Sequence, residues 1–199
     1  QNVLAIRGDD HGAPKTVNKS RGINEYAVDL VRQIKRMNKG MYLEQLSDAD
    51  STDFCVGVGG YPEKHFEAPN LHWDIQRLKE KVEAGADYIV TQMFFDNQQF
   101  FKFVDACRAE GITVPIIPGL KLITNHRHLT SLPRHFFLSL PEALSHEISM
   151  NPDKTRQIGI EWAAQQCREL LDHGFPGLHF YVMANPSPVI ELLDSLNTG

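Results

Sequence analysis

The sequence is poor in cysteine. Its three residues, Cys55, Cys107 and Cys167, are odd in number and have no spacing that would build a metal cage or a disulfide framework. Each falls in an apolar stretch, so the expectation is buried free thiols in a reducing, cytoplasmic setting. No apolar run approaches the ~20 residues a membrane helix needs, and no signal peptide is visible, so no membrane partner is expected. Cations are not in excess: 20 Lys and Arg against 25 Asp and Glu give a formal net charge of −5. That balance removes the bulk attraction on which nucleic-acid binding rests. The nine histidines are scattered without H-E-x-x-H or similar spacing, so no metal is expected. A P-loop and a G-x-S-x-G elbow are also missing.

What is present is an ordinary globular composition, 42% hydrophobic and 23% charged over 199 residues. Two β-branched apolar runs, Phe54–Val58 and Tyr88–Phe94, flank a helix-period segment marked by Leu71, Ile75, Leu78 and Val82 and stopped at Gly85. Strand, helix and strand in that order predict a βαβ unit with parallel strands. The same alternation runs through the chain. Val3–Ile6, Val114–Ile117 and Leu178–Met183 read as further strands, with Pro118-Gly119 expected to end the fourth. Helix stripes follow at Ile23–Met37, Phe100–Cys107, Ile160–Leu171 and Val189–Leu196, with a short helix opening at Pro141. The segment from Lys121 to Pro133 reads as a polar turn, and the loop from His11 to Arg21 is long enough to be functional.

Five β/α units fit either a doubly wound sheet or part of a (β/α)₈ barrel, which takes ~250 residues when complete. The chain opens on a buried-strand pattern at Asn2 with no initiator Met. The expectation is therefore one domain over residues 1–199, an α/β, TIM-type partial barrel contributing about five C-terminal units, with its N-terminal strands upstream. Unclosed parallel edges further predict completion by that missing segment, by a second polypeptide or by a homo-oligomer.

The polar residues cluster just past the strand ends, where such folds keep their chemistry. Arg7-Gly8-Asp9 follows the first strand: Gly8 allows close backbone approach, Arg7 can pair with a phosphate or a ring carbonyl and Asp9 is expected at the mouth, although a Gly turn with a surface ion pair would read the same way. Gly57, Gly59 and Gly60 do not match G-x-G-x-x-G, and Tyr61-Pro62 blocks an immediate helix start. These glycines either let a flat ligand lie on the strand or serve tight packing. Asp74, Arg77, Glu80 and Lys81 share one flank of the central helix, as a phosphate grip or as a solvated, ion-paired face. Gln92 stands among apolar residues and needs a partner for its amide, either a ligand or the protein itself.

Five blocks carry a resemblance: NVLAIRGD at residues 2–9, GYPEKHFEA at 60–68, GADYIVTQMFFDNQQFFKF at 85–103, IIPGL at 116–120 and LHFYVMAN at 178–185. Together, and in this order, they resemble the methylenetetrahydrofolate reductase family over nearly the whole chain. The resemblance implies a (β/α)₈ flavoprotein that uses FAD and NADH or NADPH to reduce methylenetetrahydrofolate to methyltetrahydrofolate. It implies FAD contacts at Arg7, Gly8, Asp9, Ala27, Tyr61, His65, Ala68 and Asp74, with Arg77 and Lys81 nearer the polar tail. Asp9 and Gln92 are implied as catalytic, and Asp9, Gln92 and His128 as facing the folate substrate.

Departures from the family pattern are legible too. The general-acid Glu of the family lies outside this sequence, Glu80 stands where a basic residue is usual, and Val182–Asn185 lacks the Thr and the basic residue of the family's HFYT stretch. They leave two alternatives: another FAD-linked amine oxidation on the same barrel, or a degenerate, partner-dependent member without turnover of its own.

Overall fold

The protein was analysed as a computed structural model that describes residues 1–8 and 24–197. Five strands, β1 (Asn2–Ala5), β2 (Cys55–Gly60), β3 (Tyr88–Met93), β4 (Ile116–Leu120) and β5 (His179–Phe180), form one sheet in the order β1-β2-β3-β4-β5. Every neighbouring pair is parallel. Between and after them lie α1 (Ala27–Met37), α2 (Leu71–Glu83), α3 (Asn97–Ala109), α4 (His128–Phe136), α5 (Glu142–Met150), α6 (Thr155–Asp172) and α7 (Ser187–Asn197). Strand order that follows chain order means that each crossover steps one place the same way. Right-handed crossovers then put the helices on one face, the winding of a barrel, whereas a doubly wound sheet reverses its order part-way. The molecule is a parallel half-barrel, and the doubly wound alternative falls.

The helix-covered face holds the main core. Ala5, Val58, Ile89 and Ile116 sit in register across four strands and pack against Ile75, Leu78, Phe103 and Leu170. Cys107 and Cys167 lie in the same core, where burial pushes their thiols up to about 12 and about 11. Protonated, buried thiols are inert packing groups. The opposite face is open at β1 and just past it, where Leu4 and Ile6 are 42% and 59% exposed. Among the described residues no helix is long and apolar enough to cross a membrane.

Three expectations are corrected. β4 does not stop at Ile117 but runs through Pro118 and Gly119 to Leu120. A register shift explains it: Val90 pairs with Ile117 but Met93 with Gly119, so β3 carries one extra residue there. Gly119 N–H donates to Thr91 Oγ1 at 2.9 Å. The polar turn expected over 121–133 ends in α4, whose Leu132 joins a second core with Met93, Phe95, Ile123, Leu138, Leu144, Ile148 and Ile158. Pro133 inside that helix hides it from sequence reading. β5 is two residues long, not six.

Polar side chains tie α6 to the end of β3. Asn97 Nδ2 donates to Glu169 Oε2 at 2.7 Å and to Gln166 O at 3.1 Å, and Trp162 Nε1–H donates to Phe95 O at 3.0 Å. Asp96 is the N-cap of α3, accepting from Gln98 N–H at 2.9 Å.

Candidate functional site

A cavity of about 710 Å³ opens at the C-terminal ends of β1 and β2, between α1, α2 and the segment after α4. Its floor is Gly59. A Cβ added there would find nothing nearer than the Tyr61 hydroxyl at 3.9 Å, whereas one on Gly57 would lie 2.3 Å from the Tyr88 ring. One on Gly60 would lie 2.9 Å from Ile89. The three glycines therefore divide: Gly57 and Gly60 serve packing, and Gly59 leaves bare backbone facing the cavity.

One wall is α2. Asn70 caps it, accepting from Trp73 N–H at 2.9 Å, and the helical period then brings Asp74, Arg77 and Lys81 to the cavity together with Trp73 and Glu80. Asp74 Oδ2 accepts the His65 backbone N–H at 2.7 Å and so fixes the β2–α2 loop. Lys81 Nζ donates to Gly59 O at 2.8 Å. Burial lowers the Lys81 ammonium below its ordinary range, with Asp74 opposing the shift. Arg77 lies 4.9 Å over the Trp73 ring and holds both Glu80 oxygens, at 2.8 and 2.9 Å.

The β2–α2 loop supplies Tyr61, His65 and Ala68. His65 Nδ1 accepts Glu67 N–H at 3.2 Å, which leaves the proton on Nε2. Burial lowers its pKa, outweighing the opposing Asp74 and Glu67 charges. Arg7, at the end of β1, pairs with Glu67 at 2.6 Å and lies 5.9 Å over Tyr26. The far wall is His135 and Phe137. Phe137 stacks on Phe66 at 4.9 Å, and Glu63 takes the Ser139 N–H at 2.9 and 3.0 Å, so the segment after α4 is fastened to the β2–α2 loop.

All nine of the described cofactor candidates, Arg7, Gly8, Ala27, Tyr61, His65, Ala68, Asp74, Arg77 and Lys81, line this one cavity. Asp9 lies outside the described residues, as does the loop from His11 to Arg21. Gln92 and His128 do not line the cavity. Gln92 Oε1 accepts its neighbour Met93 N–H at 3.0 Å, and His128 Nδ1 accepts Thr124 N–H at 3.3 Å. Sequence reading missed Tyr26, Phe66, Glu67, Trp73, His135 and Phe137 as lining residues. For Phe137 the chain offers no signal.

The model of the methylenetetrahydrofolate reductase family matches residues 1–197. The chain belongs to the methylenetetrahydrofolate reductase family. It is 34% identical over 203 residues to methylenetetrahydrofolate reductase 2 of Saccharomyces cerevisiae, covering 99% of this chain and 32% of that protein. With methylenetetrahydrofolate reductase (NADH) 1 of Arabidopsis thaliana it shares 37% identity over 209 residues, 98% of this chain and 33% of the relative. The chain thus spans about a third of the length of these curated relatives. Among solved structures, an uncharacterized protein from Clostridium thermocellum, described as binding two copies of 5-methyl-5,6,7,8-tetrahydrofolic acid, superposes with a TM-score of 0.50 at 21% identity. That likeness covers 88% of this chain and 69% of the other, and it is a likeness of fold.

Proposed function

We propose that this half-barrel is the flavin-holding, folate-facing part of an enzyme that reduces 5,10-methylenetetrahydrofolate to 5-methyltetrahydrofolate with NADH or NADPH. The observation that carries the reading is that the nine described residues which the family resemblance implies for FAD line one cavity in a chain of this family. The cavity fits FAD by its own chemistry. A bare strand end at Gly59 accepts a flat ring, and aromatic faces at Tyr61, His65 and Trp73 suit stacking. Its volume is in the range of cofactor pockets, ~300–1,000 Å³.

FAD, when bound, supplies two-electron hydride chemistry between the nicotinamide and the methylene carbon of the folate. The protein supplies position and charge. Lys81 and Arg77 would hold the anionic diphosphate, and Lys81 is held in place by the Gly59 carbonyl. Neutral His65 offers its Nε2–H as a donor, with its loop set by Asp74. Gln92 and His128, which lie off this cavity, would serve the folate side, a role that the family resemblance also gives Asp9.

A second reading rests on Glu80 and Glu67, which already neutralise Arg77 and Arg7 inside the cavity. It takes the chain as a folate or partner binder without turnover. A cytoplasmic location fits the three free thiols, and closure of the open face at Leu4 and Ile6 by further strands fits their exposure. The test is a visible spectrum of the protein after loading with FAD and gel filtration. Retained flavin, bleached by NAD(P)H and recoloured by methylenetetrahydrofolate, is the expected result. A folded, colourless protein supports the second reading.

A further inference from the structure

One wall of the cavity comes from outside its own two strands. α4 follows β4, two strands away from β2, yet the segment at its end reaches the β2–α2 loop. Leu138 anchors that segment in the second core, with Met93 and Phe95 at and just past the end of β3. On either side of the anchor it is fastened to the loop. Phe137 stacks on Phe66, and the Ser139 N–H donates to both Glu63 oxygens. The stack ends a series of ring contacts, Tyr61–His65 at 4.8 Å and His65–Phe66 at 4.6 Å, and all four rings line the cavity. Glu63 itself does not line it.

Both sides of this fastening hold strained backbone. Among the described residues, the non-glycine positions with positive φ are Lys64, at 96°, beside Glu63, and Phe137, at 54°, two residues before Ser139. Large side chains hold such a conformation only where the surroundings impose it, and such positions gather at ligand clamps and switches. The imposing contacts here are few and lie at the surface, with Phe66 and Phe137 54% and 58% exposed. Unfastening them frees Phe137 from its strained conformation, so the strap opens at far smaller cost than the core unfolds.

We infer that Glu63 is a positioning residue: it latches the strap of residues 134–139 onto the β2–α2 loop, and this latch sets how fast the cavity exchanges its cofactor. The choice of flavin as that cofactor rests on the proposed function. Opening the strap withdraws His135 and Phe137 from one wall and leaves Gly59, Arg77 and Lys81 in place on the others. Because Glu63 is not a lining residue, its loss changes entry and exit together and leaves affinity nearly alone.

The test measures FAD association and dissociation rates in wild type, Glu63→Ala and Glu63→Gln, with hydrogen exchange of residues 134–139 in the same proteins. Glu63→Ala is expected to raise both rates about fivefold, the scale of one hydrogen bond, with the dissociation constant and the denaturant midpoint close to wild type. Glu63→Gln retains an acceptor oxygen for the Ser139 N–H and should keep the wild-type rates. Exchange over 134–139 should be faster in Glu63→Ala alone. Flavin rates unchanged in Glu63→Ala overturn the latch. So does faster dissociation with unchanged association, which marks a wall that only shapes the pocket. Wild type that takes up no flavin overturns the flavin reading, and the exchange comparison then decides the latch: equal exchange in wild type and Glu63→Ala overturns it.

Discussion

The Lys81 ammonium lies 2.8 Å from the Gly59 carbonyl oxygen, which joins the last turn of α2 to the strand end at the cavity floor. The pair couples a cation to the one glycine of β2 whose missing side chain opens onto the cavity. It makes the two halves of the proposed cofactor grip, charge and flat backbone, depend on each other.

Replacing that cation separates binding from folding. Lys81→Met is expected to weaken FAD about tenfold or more, the scale of a charge-assisted contact. Thermal stability should hold or rise, because a desolvated ammonium is removed. Flavin retention and the melting temperature, measured on the same sample, check both halves. A protein that melts lower while keeping its flavin would contradict the assignment.

The glycines give a contrast within one strand. Gly57→Ala drives a methyl into the Tyr88 ring, whose hydroxyl reaches Val3 O at 3.3 Å, and is expected to cost ~1–3 kcal/mol in denaturant unfolding. Gly59→Ala meets nothing closer than 3.9 Å and should unfold at the same denaturant concentration as wild type. Its effect should appear instead in flavin titration, as weaker binding.

Stability should fall on acidification through histidine. His65, His128 and His179 all have pKa values lowered from 6.5, each chiefly by burial. Below 6.5 the unfolded chain binds protons that the folded chain resists, so stability rises with pH through the acid side of 6.5 and is fully present above it. Urea titrations at a series of pH values should show this slope. His65→Gln should flatten it, and a slope unchanged in that variant would remove His65 from the account.

Asn97 is the structural counterpart. It is buried, and its amide serves both Glu169 and the Gln166 carbonyl. Asn97→Ala leaves those acceptors short and is expected to cost ~1–3 kcal/mol of stability. Flavin affinity should not change, because the network lies away from the cavity lining. A selective loss of flavin with unaltered unfolding would be the contrary result.

The β/α alternation was legible because buried parallel strands are β-branched runs and the helices between them carry an apolar stripe. Val56–Val58, Tyr88–Val90, Leu71–Val82 and Phe100–Cys107 declare themselves by composition and period alone. The grouping of the cavity residues was legible in part, because α2 keeps Asp74, Arg77 and Lys81 on one side by its period, while Ala27 and Ala68 entered only through the family resemblance. The role of each glycine in Cys55–Gly60 was not legible. It depends on which ring lies across the strand, and Tyr88 arrives from the next strand over.

By itself, the sequence determined the unit type, the parallel sense of the strands and the local polar motifs, all set by contacts within a few turns of chain. The tertiary structure alone decided that β3 gains a residue against β4, and that Phe137 closes the cavity against Phe66. It also decided that Lys121 meets Tyr181, sixty positions away. Such contacts join residues with no common period, so their energies act between elements and leave no local pattern to read.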